Sequence, residues 1–146
     1  MKTAAEILKS KAKQAVHSIA PGDSVFDAVK LMADKNIGAL LVMEADRIAG
    51  IVTERDYARK IVLMSRSSKE TPVREIMTAE VMYVHPGQTS DECMVLMTEN
   101  RLRHLPVIDG DKLLELISIG DLVKSIISEQ RFTIEQLEHY ISGGTS

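Results

Sequence analysis

Tryptophan is absent from this sequence, aromatic residues make up 3% of it, and Cys93 is the one cysteine. A single thiol excludes an internal disulfide and fits a reducing cytoplasm. No apolar run approaches the roughly 20 residues that span a bilayer. The opening stretch MKTAAEILKSKAKQ lacks the apolar segment of a secretory signal. Basic charge is not in excess: the net charge is -3, so no global field draws the chain to nucleic acid. Neither a Gly-rich phosphate loop nor GxGxxG occurs. What is present is ordinary for a soluble globular protein: 146 residues, 45% hydrophobic and 27% charged. A chain of that length buries roughly two-thirds of its unfolded surface without staples. Eight methionines point to an aliphatic core with flexible side chains as filler.

The chain repeats itself. At an offset of 65, residues 19–57 lie over 84–122 without a gap, with eight identities in 39 positions. Pro21-Gly22 meets Pro86-Gly87, Leu31-Met32 meets Leu96-Met97, Leu40 meets Leu105, and Val42 meets Val107. Asp46 and Asp56 meet Asp111 and Asp121. Asp27/Glu92, Arg47/Lys112, Ile48/Leu113 and Thr53/Ser118 match in character. The sequence is two copies of one unit.

Each copy predicts strand, helix, strand, strand, helix. The first strand is short, around Ile19 and Val84. Ser24–Asp27 and Thr89–Glu92 have the form of capping boxes. Helical apolar spacing follows at Val25, Ala28, Val29 and Met32, and at Cys93, Met94, Leu96 and Met97. Two short apolar runs come next, Ala39–Met43 with Ile48–Val52, and Leu105–Ile108 with Leu113–Ile117. Asp109-Gly110 is a strong hairpin signal, and Glu44-Ala45-Asp46 a weaker turn. A second helix opens at Thr53 or Ser118. It carries Tyr57, Ile61 and Val62 in one copy, and Leu122, Val123, Ile126 and Ile127 in the other.

Upstream, Thr3-Ala-Ala-Glu6-Ile-Leu parallels Thr71-Pro-Val-Arg-Glu75-Ile-Met, each a capped turn leading into its unit. The first copy carries about four extra residues within Lys9–Gln14 by this spacing. The expected organisation is a capping segment 1–18, repeats at 19–64 and 84–128, a linker and cap of the second repeat at 65–83, and a helical tail at 129–146. Within that tail Gln130–Ile141 is a further amphipathic stretch, with SGGTS as a frayed end.

This duplicated order resembles the cystathionine-beta-synthase-type (CBS) domain, used in tandem as a CBS pair or Bateman module. The resemblance rests on Ile19-x-Pro21, Ile37-Gly-Ala-Leu-Leu-Val42 and Gly50-Ile-Val-Thr53-Glu-Arg-Asp56. Their counterparts are Val84-x-Pro86, Leu102-Arg-His-Leu-Pro-Val107 and Leu116-Ile-Ser118-Ile-Gly-Asp121. It covers roughly residues 3–128, and the nearest in kind are stand-alone bacterial proteins made of one CBS pair. The resemblance implies an α/β (α+β) fold of two β-α-β-β-α repeats about a pseudo-twofold axis. It implies clefts between them for AMP, ATP, NAD(H) or another adenosyl ligand, and a homodimer of modules.

Thr53-x-x-Asp56 and Ser118-x-x-Asp121 read first as helix caps. A helix start at a strand end is also a place where N–H groups and hydroxyls meet a phosphate. A carboxylate there can accept both adjacent hydroxyls of a ribose. The resemblance gives that role to Asp56 and Asp121, with Thr53 and Ser118 on ribose or phosphate. Arg55 is a surface charge or a phosphate fork, and Arg59 and Lys60 extend its positive patch. Arg101, Arg103 and His104 suit phosphates, whereas their counterparts Gly38 and Ala39 leave room for a base. The matched motifs add Ile19, Ile37, Ile51, Val84, Leu102 and Leu116 to the ligand-binding set. Glu115 departs from the pattern, because Gly50 stands at the matching position. A carboxylate there repels phosphate unless it points away or pairs with Arg101 or Arg103.

Other residues read as structural. His17, His85 and His139 have no metal-ligand spacing with Cys93 or acids. Cys93 sits on an apolar helix face. Ser18 and Ser118 lack triad partners. The expected function is therefore a non-enzymatic sensor that binds an adenosyl ligand, needs no metal, and passes occupancy to an effector protein. Helices 24–35 and 89–99 or the tail 130–141 are its candidate dimer and partner surfaces. Competing classes are a structural dimerisation module with a vestigial site, a nucleic-acid binder using Arg55, Arg59, Lys60, Arg101 and Arg103, and a small nucleotide hydrolase. The acidic total and scarce aromatics argue against nucleic acid.

Overall fold

The computed structural model describes residues 1–11 and 16–143. The chain divides into two compact units, one formed by Ala15–Val81, the other by Met1–Gln14 with Met82–Ser146.

In the Ala15–Val81 unit, β1 (Ser18–Ile19) lies parallel to β2 (Ala39–Glu44), which pairs antiparallel with β3 (Arg47–Thr53). Helix α2 (Val25–Lys35) starts where Ser24 Oγ accepts from the Asp27 N–H at 3.1 Å. It ends at Asn36 in the left-handed conformation, the usual alternative to glycine at a helix end. The β2–β3 turn places Ala45 at φ 55°. After β3 comes α3 (Glu54–Tyr57), which widens into a π-turn at Ala58–Val62. Val25, Ala28, Met32, Leu40, Val42, Val52 and Ile61 form the core, closed by Val73 and Ile76 from a short 3-10 turn, Val73–Glu75. Of the apolar residues expected on the second helix, Val62 lies outside that core and is exposed.

The other unit repeats the plan. Helix α4 (Ser90–Asn100) is capped by Thr89 and ends at Arg101, left-handed like Asn36. Strands β4 (His104–Asp109) and β5 (Lys112–Ser118) pair antiparallel around Gly110 at φ 62°. The short first strand shrinks to a single parallel bridge, Val84 to Val107. Helix α5 runs unbroken over Ile119–Gly143, so the second helix of the repeat and the expected tail are one element. The frayed end expected at 142–146 lies, from 144 onward, outside the described residues. Leu122 is in the core, but Val123 and Ile127 are exposed.

Helix α1 (Ala4–Ser10) belongs to this second unit, although it precedes the first repeat in sequence. Its Thr3–Glu6 capping box forms as the sequence predicts. Ala4 and Ile7 pack in one cluster with Val84, Cys93, Met97, Leu105, Val107, Ile117 and Leu122. Ala4 N donates to Gln88 O at 2.8 Å and Ala5 N to Pro86 O at 2.9 Å. Reciprocally, the 71–77 turn lies in the first unit, where Val25 N donates to Thr71 O and Val73 N to Asp23 O. Each turn was expected to lead into its own repeat; each is instead packed on the other. The second turn is also not hydroxyl-capped, because Thr71 Oγ1 donates to Ser67 O and Pro72 occupies the cap position. Of the expected insertion, residues 12–14 lie outside the described residues.

Candidate functional site

In each unit the last residue of a strand is the cap of the next helix, which fixes a hydroxyl and a carboxylate side by side. Thr53 ends β3 and caps α3. Its Oγ1 accepts from Asp56 N at 3.1 Å, and Asp56 Oδ2 accepts from Thr53 N at 3.0 Å and Thr53 Oγ1 at 3.1 Å. Ser118 ends β5 and does the same: Asp121 N donates to Ser118 Oγ at 3.1 Å, and Ser118 N to Asp121 Oδ2 at 2.8 Å. The neighbouring strand is tied to the same corner. Thr53 pairs with Ala39 and Ser118 with His104. Glu54 N donates to Gly38 O at 3.1 Å, and Ile119 N to Arg103 O at 2.8 Å. The capping role expected of these residues is real, and it positions the carboxylates for further contacts.

A lysine holds each carboxylate, from a different source in each unit. Lys60, one helical turn beyond Asp56, places Nζ 3.2 Å from Asp56 Oδ1 and donates to Ile76 O at 2.8 Å. Asp121 is held by Lys11, 110 residues away: Nζ lies 3.1 Å from Asp121 Oδ2, 3.4 Å from Glu115 Oε1 and 3.1 Å from Leu116 O. Burial works to raise the Asp121 pKa, but the Ser118 N–H and Lys11 outweigh it and hold the carboxyl below its usual range. His104 moves the other way from charge. Burial pushes its pKa down, Asp121 opposes this, and Lys11 and Arg103 reinforce it. The second corner is thus a charge cluster of Lys11, Arg103, Glu115 and Asp121 around a partly buried imidazole.

The matching positions Gly50 and Glu115 explain a further difference. Gly50 is buried, and a Cβ there would stand 2.6 Å from Thr78 O and 2.8 Å from Met77 Sδ. Its absence lets the 77–78 backbone bridge to β3, with Ile51 N donating to Thr78 O at 3.0 Å and Thr78 N to Ile51 O at 2.9 Å. In the other unit Glu115 stands in the same register, opposite Val107 as Gly50 is opposite Val42. The Lys11 ammonium reaches the backbone of Leu116, the counterpart of Ile51. Glu115 was expected either to point away or to pair with Arg101 or Arg103; it pairs instead with Lys11. Arg101 is instead the left-handed end of α4.

Of the sequence-derived set, Gly38, Ala39, Thr53 and Asp56 meet at the first corner, and Arg103, His104, Ser118 and Asp121 at the second. Ile51 and Leu116 are half-buried two residues before each hydroxyl, and Ile37 and Leu102 pack partly against their cores. Ile19 and Val84 are core side chains, so only their backbones could face a ligand. Arg55 is exposed, and a Cβ on Gly38 would stand 3.2 Å from Glu54 Oε1. Lys11 was missed because it lies in the segment where the two copies differ in length. Among the described residues no group of three His, Cys, Asp or Glu could hold a metal ion.

Both corners fall in segments matched by the model of the CBS domain, which covers residues 4–63 and again 73–128. The CBS domain-containing protein CBSX3, mitochondrial, of Arabidopsis thaliana is 44% identical over 150 residues, spanning 97% of this chain and 73% of that protein. A solved protein with CBS domains from Burkholderia ambifaria MC40-6 is 63% identical, with TM-score 0.85 over 88% of this chain and 96% of that one. The structure of CBSX2 in complex with AMP shares the fold, with TM-score 0.72 and 23% identity over 88% of this chain and 98% of that one.

Proposed function

The chain belongs to the CBS-domain family and carries the domain twice, and from that premise we propose that it is a non-catalytic sensor of adenine nucleotides. The observation that carries this reading is the duplicated corner, a strand-end hydroxyl and a helix-start carboxylate paired with a lysine. Among the described residues, the hydrogen bonds and ion pair given for the Asp121 carboxylate fall on Oδ2. A carboxylate offers about four lone-pair directions, which leaves room to accept ribose hydroxyls. Thr53 and Ser118 stand at N–H-rich helix starts suited to the phosphate side. The complex of CBSX2 with AMP supports the same ligand class. AMP, ATP and NAD(H) all present the ribose that Asp56 and Asp121 would grip.

The two corners are not equivalent, since the first is lined by Gly38 and Ala39 and the second by Arg103 and His104. The second therefore offers a phosphate the Arg103 guanidinium at the position where the first has Gly38. A ligand that prefers one arrangement of the module shifts the population toward it. In this reading the homodimeric module hands that shift to an effector protein, in a cytoplasm where the buried, free Cys93 thiol persists.

Calorimetry with AMP, ATP and NAD+ tests the reading. We expect saturable binding of at least one, lost in the Asp56→Ala/Asp121→Ala variant. Absence of saturation with all three overturns the function, and unchanged binding in the double variant overturns the site.

A further inference from the structure

Helix α5 outruns the domain that supports it. Leu122 and Ser125 are buried, and Glu129 accepts from Lys2 N at 2.7 Å. Every residue from 130 to 142 is exposed. A helical stretch of that length gains little stability of its own in water. Yet this stretch is rich in large apolar side chains.

Their spacing is that of a coiled-coil seam. Ile127, Ile134 and Ile141 recur every seven residues, and Val123, Gln130 and Leu137 fill the alternating position. The five apolar members are between 42% and 67% exposed. The seam lies on a different side of the helix from Leu122 and Ser125, so docking of the first turns leaves it open.

We propose that this seam binds its own copy in a second chain, as a parallel, in-register two-stranded coiled coil over Val123–Ile141. Isoleucine at the first core position with leucine at the other, as at Ile134 and Leu137, favours two parallel strands. In register, each Gln130 meets its counterpart and the two amides satisfy each other, as single polar core residues do when they fix register. The polar core position selects the same arrangement, because an antiparallel pair with its seams in contact sets Gln130 against Ile134, where the amide has no partner. The exposed seam offers on the order of 500 Å² per chain, about 1,000 Å² for the pair, which reaches what a specific interface must clear before its flanks are counted.

The inference rests on the homodimer within the proposed function and adds its surface and orientation. The test is the molar mass of the full chain by light scattering, with Ile134→Asp/Leu137→Asp and, separately, Ile141→Cys. We expect a dimer that becomes a monomer in the double variant with its cooperative melt retained, because neither side chain is in the core. We expect Ile141→Cys to form a covalent dimer on mild oxidation, since only a parallel pair brings position 141 within disulfide reach of itself. A monomeric parent chain overturns the homodimer itself. A double variant that stays dimeric overturns the seam while leaving the homodimer standing. A dissociating double variant without the Ile141→Cys crosslink overturns the parallel arrangement.

Discussion

The second corner concentrates its charge on Lys11, whose ammonium faces Asp121, Glu115 and the Leu116 carbonyl. Lys11→Met leaves two partly buried carboxylates facing each other. We expect a loss of about 1–2 kcal/mol in urea unfolding, reduced from the fully buried case by partial exposure, and recovered in part by Glu115→Gln. Carboxyl NMR should show the Asp121 pKa rising in Lys11→Met, because one of the groups holding it down is gone. The two shifted groups also set the pH dependence. A histidine whose pKa is lowered by folding takes up its proton more readily when unfolded, so stability falls once pH drops below about 6.5. Asp121, lowered by folding as well, contributes stability above about pH 4 that is lost as pH falls through its folded value. Unfolding free energy measured from pH 8 to pH 4 should thus decline, and His104→Gln should flatten the upper part of that decline. A pH-independent stability across this range would contradict the assignment.

At the scale of elements, the sequence carried most of what the structure shows. Thr53 and Ser118 were readable as caps because a hydroxyl followed three residues later by an acid has one efficient local use. The four main strands lie within a residue of their apolar runs. What stayed hidden needs contacts far apart in sequence. The role of Gly50 depends on the 77–78 backbone passing 2.6 Å from where a Cβ would be. Its counterpart Glu115 gives no hint, since Lys11 reaches that edge. Gly50→Ala should therefore push the bridge off β3 and cost about 1–3 kcal/mol, read as a lower urea midpoint, whereas Glu115→Ala should cost less. Equal midpoints would mean that the bridge yields freely. The join of α5 to the tail was missed for a different reason: the helix leaves its domain near Glu129 without any helix-breaking residue.

In the whole molecule, the repeat and its 65-residue offset were legible, but the exchange of the turns was not. Both begin with a threonine and carry an isoleucine, so local pattern cannot say which repeat each covers. The exchange predicts where damage appears. Ile7→Ala should cost about 2–4 kcal/mol, and hydrogen exchange should quicken in α4, β4 and β5 rather than in β2 and β3. Ile76→Ala should do the reverse. The exchange also orders events on the ribosome. Ala15–Val81 is one continuous stretch, so the first unit can close as soon as its last residues emerge. Helix α1 is made before the first unit and must wait for strands that end at Ser118, several seconds at roughly 5–20 residues per second. Until then Ala4 and Ile7 stand in water, and a segment made ahead of the first unit finds its place after that unit has closed.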